Sequence, residues 1–190
     1  MSAIFDFSSF PTLETPNLTL RELVAGDAKA ILRVRGDIRV TRMNTGLPME
    51  SLDEAREWIS KARKAFADHR RVEWGITLNA EPEAGVIGRI NYNYWLRQDR
   101  RASIGYDLGY SYWGRGIMTE TVRAVVAFGF ERMNLNRIEA DADAENYGSI
   151  RVLEKVGFRR EGVQQEQYFE WDRFHDLALF ALLRKDYLEE

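Results

Sequence analysis

Two glycines stand where an alternating stretch of the chain gives way to a helical one. The alternation over residues 103–110 predicts a strand, and Gly114 and Gly116 follow it before a run with apolar residues at helical spacing. Free backbone N–H groups at such a helix start, with no Cβ atom in the way, can bind a phosphate or pyrophosphate. A glycine pair also occurs at helix starts for turn geometry alone.

A second helical segment lies further along the chain, over residues 146–158. Asn146 is a natural N-cap, and Ser149 stands three residues later. Gly157 suits the left-handed position after a helix end, where Phe158 can fold back on Leu153. Capping explains these residues without any ligand, so their functional interpretation depends on the whole arrangement.

That arrangement is a strand, a Gly-rich turn, a helix, a strand over residues 137–141 and an Asn-capped helix ending in Gly-Phe. It resembles the GNAT superfamily of acyl-CoA-dependent N-acetyltransferases. Residues 112–120, Asn146 with Ser149, and residues 153–158 resemble the branch that includes the ribosomal-protein N-terminal acetyltransferases. The resemblance runs from about Thr15 to the last residue.

The resemblance implies an acetyl-CoA site at the Gly-rich turn. Its pyrophosphate cradle would comprise Arg115, Gly116, Ile117 and Met118, acting mainly through backbone N–H groups. Met118 stands where the family usually has Ala, which makes the turn bulkier. The strand end before the turn would carry a bulge whose freed amides hold the thioester carbonyl, and Asn146 would contact the cofactor arm. This strand end comprises Asp107, Leu108, Gly109 and Tyr110.

Ser149 is the candidate general acid for the leaving thiolate. Many members of the superfamily place a Tyr acid where this chain has Leu153, which cannot donate a proton. The role then falls to Ser149, to nearby Tyr147 or to a water. A thiolate, with a reference pKa of about 8.5, needs little help to leave.

The attacking amine must lose a proton, either directly to a side chain or through a water. The candidate bases are Glu73, Glu166, Glu170 and Asp107. Each is also explained as an ordinary solvated acid. An acceptor groove beside the thioester would be bordered by Arg39, Arg42 and Asn44, and aromatic side chains that do not pack in the core would line it. These are Trp74, Tyr92, Tyr94 and Trp95.

Composition narrows the function classes. The chain has 190 residues, no cysteine, two histidines and a net charge of −3. It therefore has no disulfide and no Cys acyl-enzyme, and we expect no metal site and no nucleic-acid partner. No run of about 18 apolar residues predicts a membrane span, and the first residues lack the features of a secretory signal. These features are compatible with a cytoplasmic protein.

The remaining periodicity predicts a single α/β (α+β) domain over residues 1–190, with a GNAT-like mixed, mostly antiparallel sheet flanked by helices. Residues 1–14 form an N-terminal extension, and the core covers about 15–187. Asp27 and Ser51 are expected helix caps, Ser51 with Glu54 at capping-box spacing, and residues 39–49 are an expected loop. Further strands are expected over 17–23, 73–78, 86–95, 158–169 and 174–183, and helices over 26–35 and 51–68.

The sequence therefore predicts direct acetyl transfer from acetyl-CoA to a primary amine. The resemblance implies the N-terminal α-amine of a protein or peptide, of the ribosomal-protein type. The alternatives are a small-amine acetyltransferase acting on an antibiotic, polyamine or amino acid, or a non-catalytic CoA-binding sensor. A monomer and a homodimer both remain open.

Overall fold

The structure, a computed structural model, describes residues 5–42, 44 and 46–187. Parts of the predicted N-terminal extension (1–4) and of the predicted loop (Met43 and Thr45), together with residues 188–190, lie outside the described residues. Among the described residues, no helix is long and apolar enough to cross a membrane.

The part of the chain that the structure describes has eight strands, which form one sheet in the order β1-β2-β3-β4-β5-β6-β8-β7. The strands are β1 (Leu13–Glu14), β2 (Leu18–Glu22), β3 (Glu73–Leu78), β4 (Val86–Leu96), β5 (Arg101–Leu108), β6 (Arg137–Asp143), β7 (Arg159–Glu170) and β8 (Arg173–Leu183). The helices are α1 (Ala28–Arg35), α2 (Ile38–Thr41), α3 (Leu52–Ala67), α4 (Ile117–Glu131), α5 (Tyr147–Val156) and α6 (Arg184–Tyr187).

Among the strands of the described residues, only β5 and β6 pair in parallel, and they pair over half of β5. The register joins Arg101 with Arg137 and ends with Ile104 opposite Ala140. Beyond that point β5 keeps β4 as its partner and β6 keeps β8. We call the point where β5 and β6 separate the fork. At the fork, one edge of β5 and one edge of β6 face each other without pairing, in the middle of the sheet.

Alternation along the strands gives the sheet two different faces. On one face, buried apolar side chains of α4 pack against residues such as Trp74 and Tyr92, whose hydroxyl donates to Val125 O at 2.7 Å. On the other face, α1 and α3 cover a polar layer that includes Glu73 and Asp107. Burial of the apolar face against α4 is the main source of stability.

Local signals predicted several boundaries correctly. Ser51 Oγ accepts the Glu54 N–H at 3.2 Å, as expected of a cap. Gly157 adopts φ 99°, and the Phe158 N–H donates to Leu153 O at 3.0 Å, which closes α5 as predicted. All six further strands, including the one predicted over 137–141, are confirmed within a few residues.

Two local predictions were wrong. Asp27 does not cap α1, because its carboxylate accepts from Arg21 and from the Val24 N–H at 2.9 Å. The predicted loop over 39–49 begins inside a short helix, α2, whose own cap is Asp37. Hydrogen bonds of polar side chains decide both cases: Arg21 binds the Asp27 carboxylate, and Asp37 caps α2. Periodicity of apolar residues does not predict such bonds.

The contact between α4 and β4 makes a stability prediction. A methyl group at Gly129 would come within 2.5 Å of Tyr92 Oη and 2.9 Å of Ile138 Cδ1. Gly129→Ala should therefore lower the free energy of unfolding by about 1–3 kcal/mol, despite the better helix propensity of Ala. Gly148→Ala in α5, where the nearest atom is 3.6 Å away, is the control and should be neutral or stabilising. Urea unfolding measures both; equal effects at the two sites would contradict this packing.

Candidate active site

The Gly-rich turn leads into the start of α4 with its backbone exposed. Gly114 and Gly116 adopt φ 73° and 80°, and a Cβ atom at either position would meet nothing within 4 Å. Gly116 directly precedes the first helical residue, so the amides of the first turn have no partner within the helix. The side chains of Ile117 and Met118 are buried in the core. Met118 therefore does not fill the turn.

The start of α5 faces the same groove as the start of α4. Asn146 caps α5, with its Oδ1 accepting the Ser149 N–H at 3.0 Å. Residues of both helix starts, the end of β5 and Asn44 line this groove, which has a volume of about 580 Å³. Two helix N-termini, each carrying partial positive charge, thus meet at one cavity beside the fork.

Two basic residues of α5 also line the groove, and sequence reasoning missed them. They are Arg151 and Lys155. Both follow the Asn146 cap and they are four residues apart, which places them on one face of the helix. That spacing is the signal that the sequence offered. Arg115 itself is exposed and lies 3.8 Å from Glu81 Oε1. These cations fit an anionic ligand with several phosphates.

The end of β5 differs from the expected bulge. The Gly109 N–H is not free, because it donates to Ile87 O at 2.9 Å. Successive amides in an antiparallel ladder point to opposite sides, so the Leu108 N–H points away from β4, toward the opened fork. The register shift between β4 and β5 lies at Tyr92 and Tyr94, away from this strand end. Separation of the strands, rather than a bulge at Gly109, exposes the amide.

Ser149 lies against a tyrosine that the sequence analysis did not single out. Tyr106 Oη lies 2.7 Å from Ser149 Oγ, and both residues line the groove. Burial raises the pKa of Tyr106, so its phenol stays protonated. Leu153 is fully buried and packs in the core, whereas Tyr147 is exposed at the rim. Of the two candidate hydroxyls on α5, Tyr147 and Ser149, only the Ser149 hydroxyl has a hydrogen-bond partner among the described residues.

Two of the candidate bases are buried in the polar layer. Asp107 accepts from Arg35 at 2.8 Å and also from Arg89 and Asn44. Burial alone would raise the pKa of Asp107, but the two guanidiniums hold it below its ordinary value. Glu73 accepts from Trp58 Nε1 at 2.8 Å and pairs with Arg71 at 2.9 Å. These contacts give both carboxylates a structural role.

The other two candidate bases lie on the hairpin of β7 and β8. Glu170 Oε1 accepts the Gly46 N–H at 2.8 Å, which joins the hairpin to the chain after α2. Glu166 is exposed. Neither lines the groove described above.

The predicted acceptor residues divide between core and surface. Trp74 and Tyr92 are buried against α4, and Tyr94 Oη bonds Glu139. Trp95 packs beside Phe5. In the segment around α2, Asn44 lines the groove, and Arg39 pairs with Asp37 and stacks over the Tyr110 ring at 4.0 Å. Arg42 follows as the C-cap of α2.

A buried cluster at the end of β6 was also missed. The Asp143 carboxylate lies 2.6 Å from His175 Nδ1 and accepts from Tyr168 Oη at 2.8 Å and from the Glu145 N–H at 2.7 Å. Burial alone would raise the pKa of Asp143, but these three donors keep it below its ordinary value. The cluster ties the hairpin to the turn that begins α5. Among the described residues, no group of three or more His, Asp or Glu side chains is arranged to hold a metal.

Known proteins are similar to this chain in sequence. The family described as "Acetyltransferase (GNAT) domain" matches residues 17–159. "Uncharacterized N-acetyltransferase p20" of Bacillus licheniformis is 33% identical over 93% of this chain and 98% of its own length. A spermidine N(1)-acetyltransferase of Vibrio cholerae is 26% identical over 90% of this chain and 95% of its own.

A solved structure has the same fold. Mycobacterium smegmatis RimJ, in complex with CoA-disulfide, is 25% identical, superposes with a TM-score of 0.81 and is matched over 93% of this chain and 87% of its own. The chain therefore belongs to the GNAT acetyltransferases, enzymes that transfer an acetyl group to an amine.

Proposed function

We propose that this protein transfers an acetyl group from acetyl-CoA directly to the N-terminal α-amine of a protein or peptide, of the ribosomal-protein type. The observation that carries the proposal is the meeting of two helix starts, α4 and α5, at one groove beside the fork. Acetyl-CoA supplies an activated thioester and three phosphate groups. The reaction would take place in the cytoplasm.

Different parts of the groove suit the pyrophosphate, the charge and the thioester of acetyl-CoA. The first-turn amides of α4, at Ile117 and Met118, would hold the pyrophosphate, because no side chain shields them at Gly116. Arg115, Arg151 and Lys155 add positive charge nearby. The Leu108 N–H, which points toward the fork, would hydrogen-bond the thioester carbonyl as negative charge develops on its oxygen.

The transfer forms a C–N bond and breaks a C–S bond. The amine nitrogen attacks the carbonyl carbon, and the electron pair of the C–S bond leaves with sulfur. Ser149, on the first turn of α5, donates a hydrogen bond to that sulfur. The proton of the amine passes to solvent, through water or through Glu170, whose second oxygen has no hydrogen-bond or ion-pair partner among the described residues.

Charge on the polar face favours a peptide over a polyamine. The two buried carboxylates there, Glu73 and Asp107, are matched by three arginines, Arg35, Arg71 and Arg89. Among the described residues of this layer, a polycation such as spermidine would find no unpaired buried carboxylate. An extended peptide needs none, because it can use backbone hydrogen bonds along the hairpin and the segment around α2.

Binding of the co-substrate gives the first prediction. Calorimetry should show CoA or acetyl-CoA binding in the micromolar range, on the order of 8 kcal/mol. Gly116→Asp should weaken binding about 10-fold or more, because it places a negative charge beside the pyrophosphate. Gly116→Asn is the matched control, since it has the same size and tolerates the left-handed backbone. Equal affinities of the Asp and Asn variants would argue against a phosphate site here.

Ser149 gives a kinetic prediction. Ser149→Ala should lower kcat by about 100-fold with little change in the affinity for CoA, because the N–H that Asn146 caps is retained. Steady-state kinetics and calorimetry on the same protein separate the two effects. An unchanged kcat would mean that Ser149 only stabilises the start of the helix.

The acceptor gives a third prediction. kcat/KM should be higher for a peptide with a free N-terminus than for its blocked form, an internal lysine peptide, spermidine or an aminoglycoside. The rate should rise from acid toward neutral pH, because an α-amine titrates near 7.7–8.0, well below lysine at about 10.4. Turnover of spermidine or the aminoglycoside alone would favour the small-amine alternative, and no turnover with intact CoA binding would favour the sensor.

A further inference from the structure

Tyr106 and Ser149 form the closest contact between two hydroxyl groups in the groove. Tyr106 lies on β5 and Ser149 on α5, 43 positions apart, with 2.7 Å between Tyr106 Oη and Ser149 Oγ. Alternation along β5 directs the Tyr106 ring to the same face as Ile104 and Leu108, toward the co-substrate side of the fork. The contact therefore spans the space between the two elements that would enclose the thioester.

The direction of this hydrogen bond follows from the chemistry of the two groups. A phenol is more acidic than an aliphatic hydroxyl and is the stronger donor. Because burial raises the pKa of Tyr106, it remains a donor at every working pH. Tyr106 Oη also lies 3.4 Å from Ser149 O, but Ser149 Oγ at 2.7 Å is the closer acceptor for the one phenol proton. Ser149 Oγ then accepts from Tyr106 and keeps its own proton for a third partner. Without that contact, a serine hydroxyl in a helix turns back to a backbone carbonyl one turn earlier.

We infer that Tyr106 is a positioning residue: it holds Ser149 Oγ as an acceptor and so directs the Ser149 O–H at the sulfur of the leaving thiolate. The inference rests on the function proposed above, in which Ser149 serves the leaving group. A thiolate, with a reference pKa of about 8.5, is a far weaker base than either hydroxylate. Both hydroxyls therefore keep their protons, and the sulfur takes its proton from water after it leaves.

Titration of bound CoA tests the inference without any acceptor. The chain has no cysteine, so CoA supplies the only thiol, and its thiolate can be followed by ultraviolet absorbance against the complex with desulfo-CoA. In the wild type the thiol pKa of bound CoA should lie below that of free CoA titrated in the same buffer, because the bound thiolate receives the Ser149 hydrogen bond. Tyr106→Phe and Ser149→Ala should each raise it by roughly one unit, and the double variant no further.

Kinetics supply the second readout, with whichever amine the wild type acetylates. Tyr106→Phe should lower kcat about 10-fold, leave KM and the CoA affinity unchanged, and have no further effect in Ser149→Ala. Tyr187→Phe is the matched control. It removes a hydroxyl on α6, away from the groove, that donates to Glu131 Oε1 at 3.0 Å. It should leave kcat unchanged.

The outcomes separate this inference from the proposed function. An unshifted thiol pKa in Tyr106→Phe, or additive effects of the two substitutions, would overturn the positioning role. If the thiol titration behaves as expected but the peptide is not acetylated, the role of Tyr106 stands and the proposed acceptor falls.

Discussion

The free end of β5 depends on one buried carboxylate. Beyond Ile104 the strand has lost β6 as a partner, and Asp107 holds it instead to α1 through Arg35 and to β4 through Arg89. Asn44, from the segment after α2, reaches both the Asp107 carboxylate and Tyr106 O. Breaking a buried pair of this kind typically costs about 3–5 kcal/mol, since one charge is left without compensation. These contacts hold the end of β5 in place where its pairing with β6 has ended.

An open fork explains why the two helix starts can act together. The amides of Tyr106 and Leu108 point into a space that β6 would otherwise fill, and α4 and α5 begin on either side of it. Apolar packing of α4 on the sheet and the Schellman end of α5 fix the direction of both helices. The groove is therefore positive along one wall and supplies backbone donors along the other.

Local features of this site could be predicted from sequence, and long-range ones could not. Gly116, Ser51 and Gly157 are determined within a few residues of chain, by a left-handed backbone or a cap. The contacts of Asp107 with Arg35 and of Tyr106 with Ser149 join residues 72 and 43 positions apart. Alternation places Asp107 and Tyr106 on opposite faces of β5, but it does not say what those faces meet. Only the tertiary register decides that.

Long-range contacts also join the hairpin of β7 and β8 to the start of α5. Asp143 ends β6, its carbonyl accepts the Asn146 N–H at 2.9 Å, and its carboxylate holds His175 of β8. The other ring nitrogen of His175 lies 3.0 Å from Glu170 O, at the end of the hairpin that contacts Gly46. Asn146 in turn caps the helix that carries Ser149. These contacts form a continuous chain of hydrogen bonds that runs from the hairpin through Asp143 to the first turn of α5.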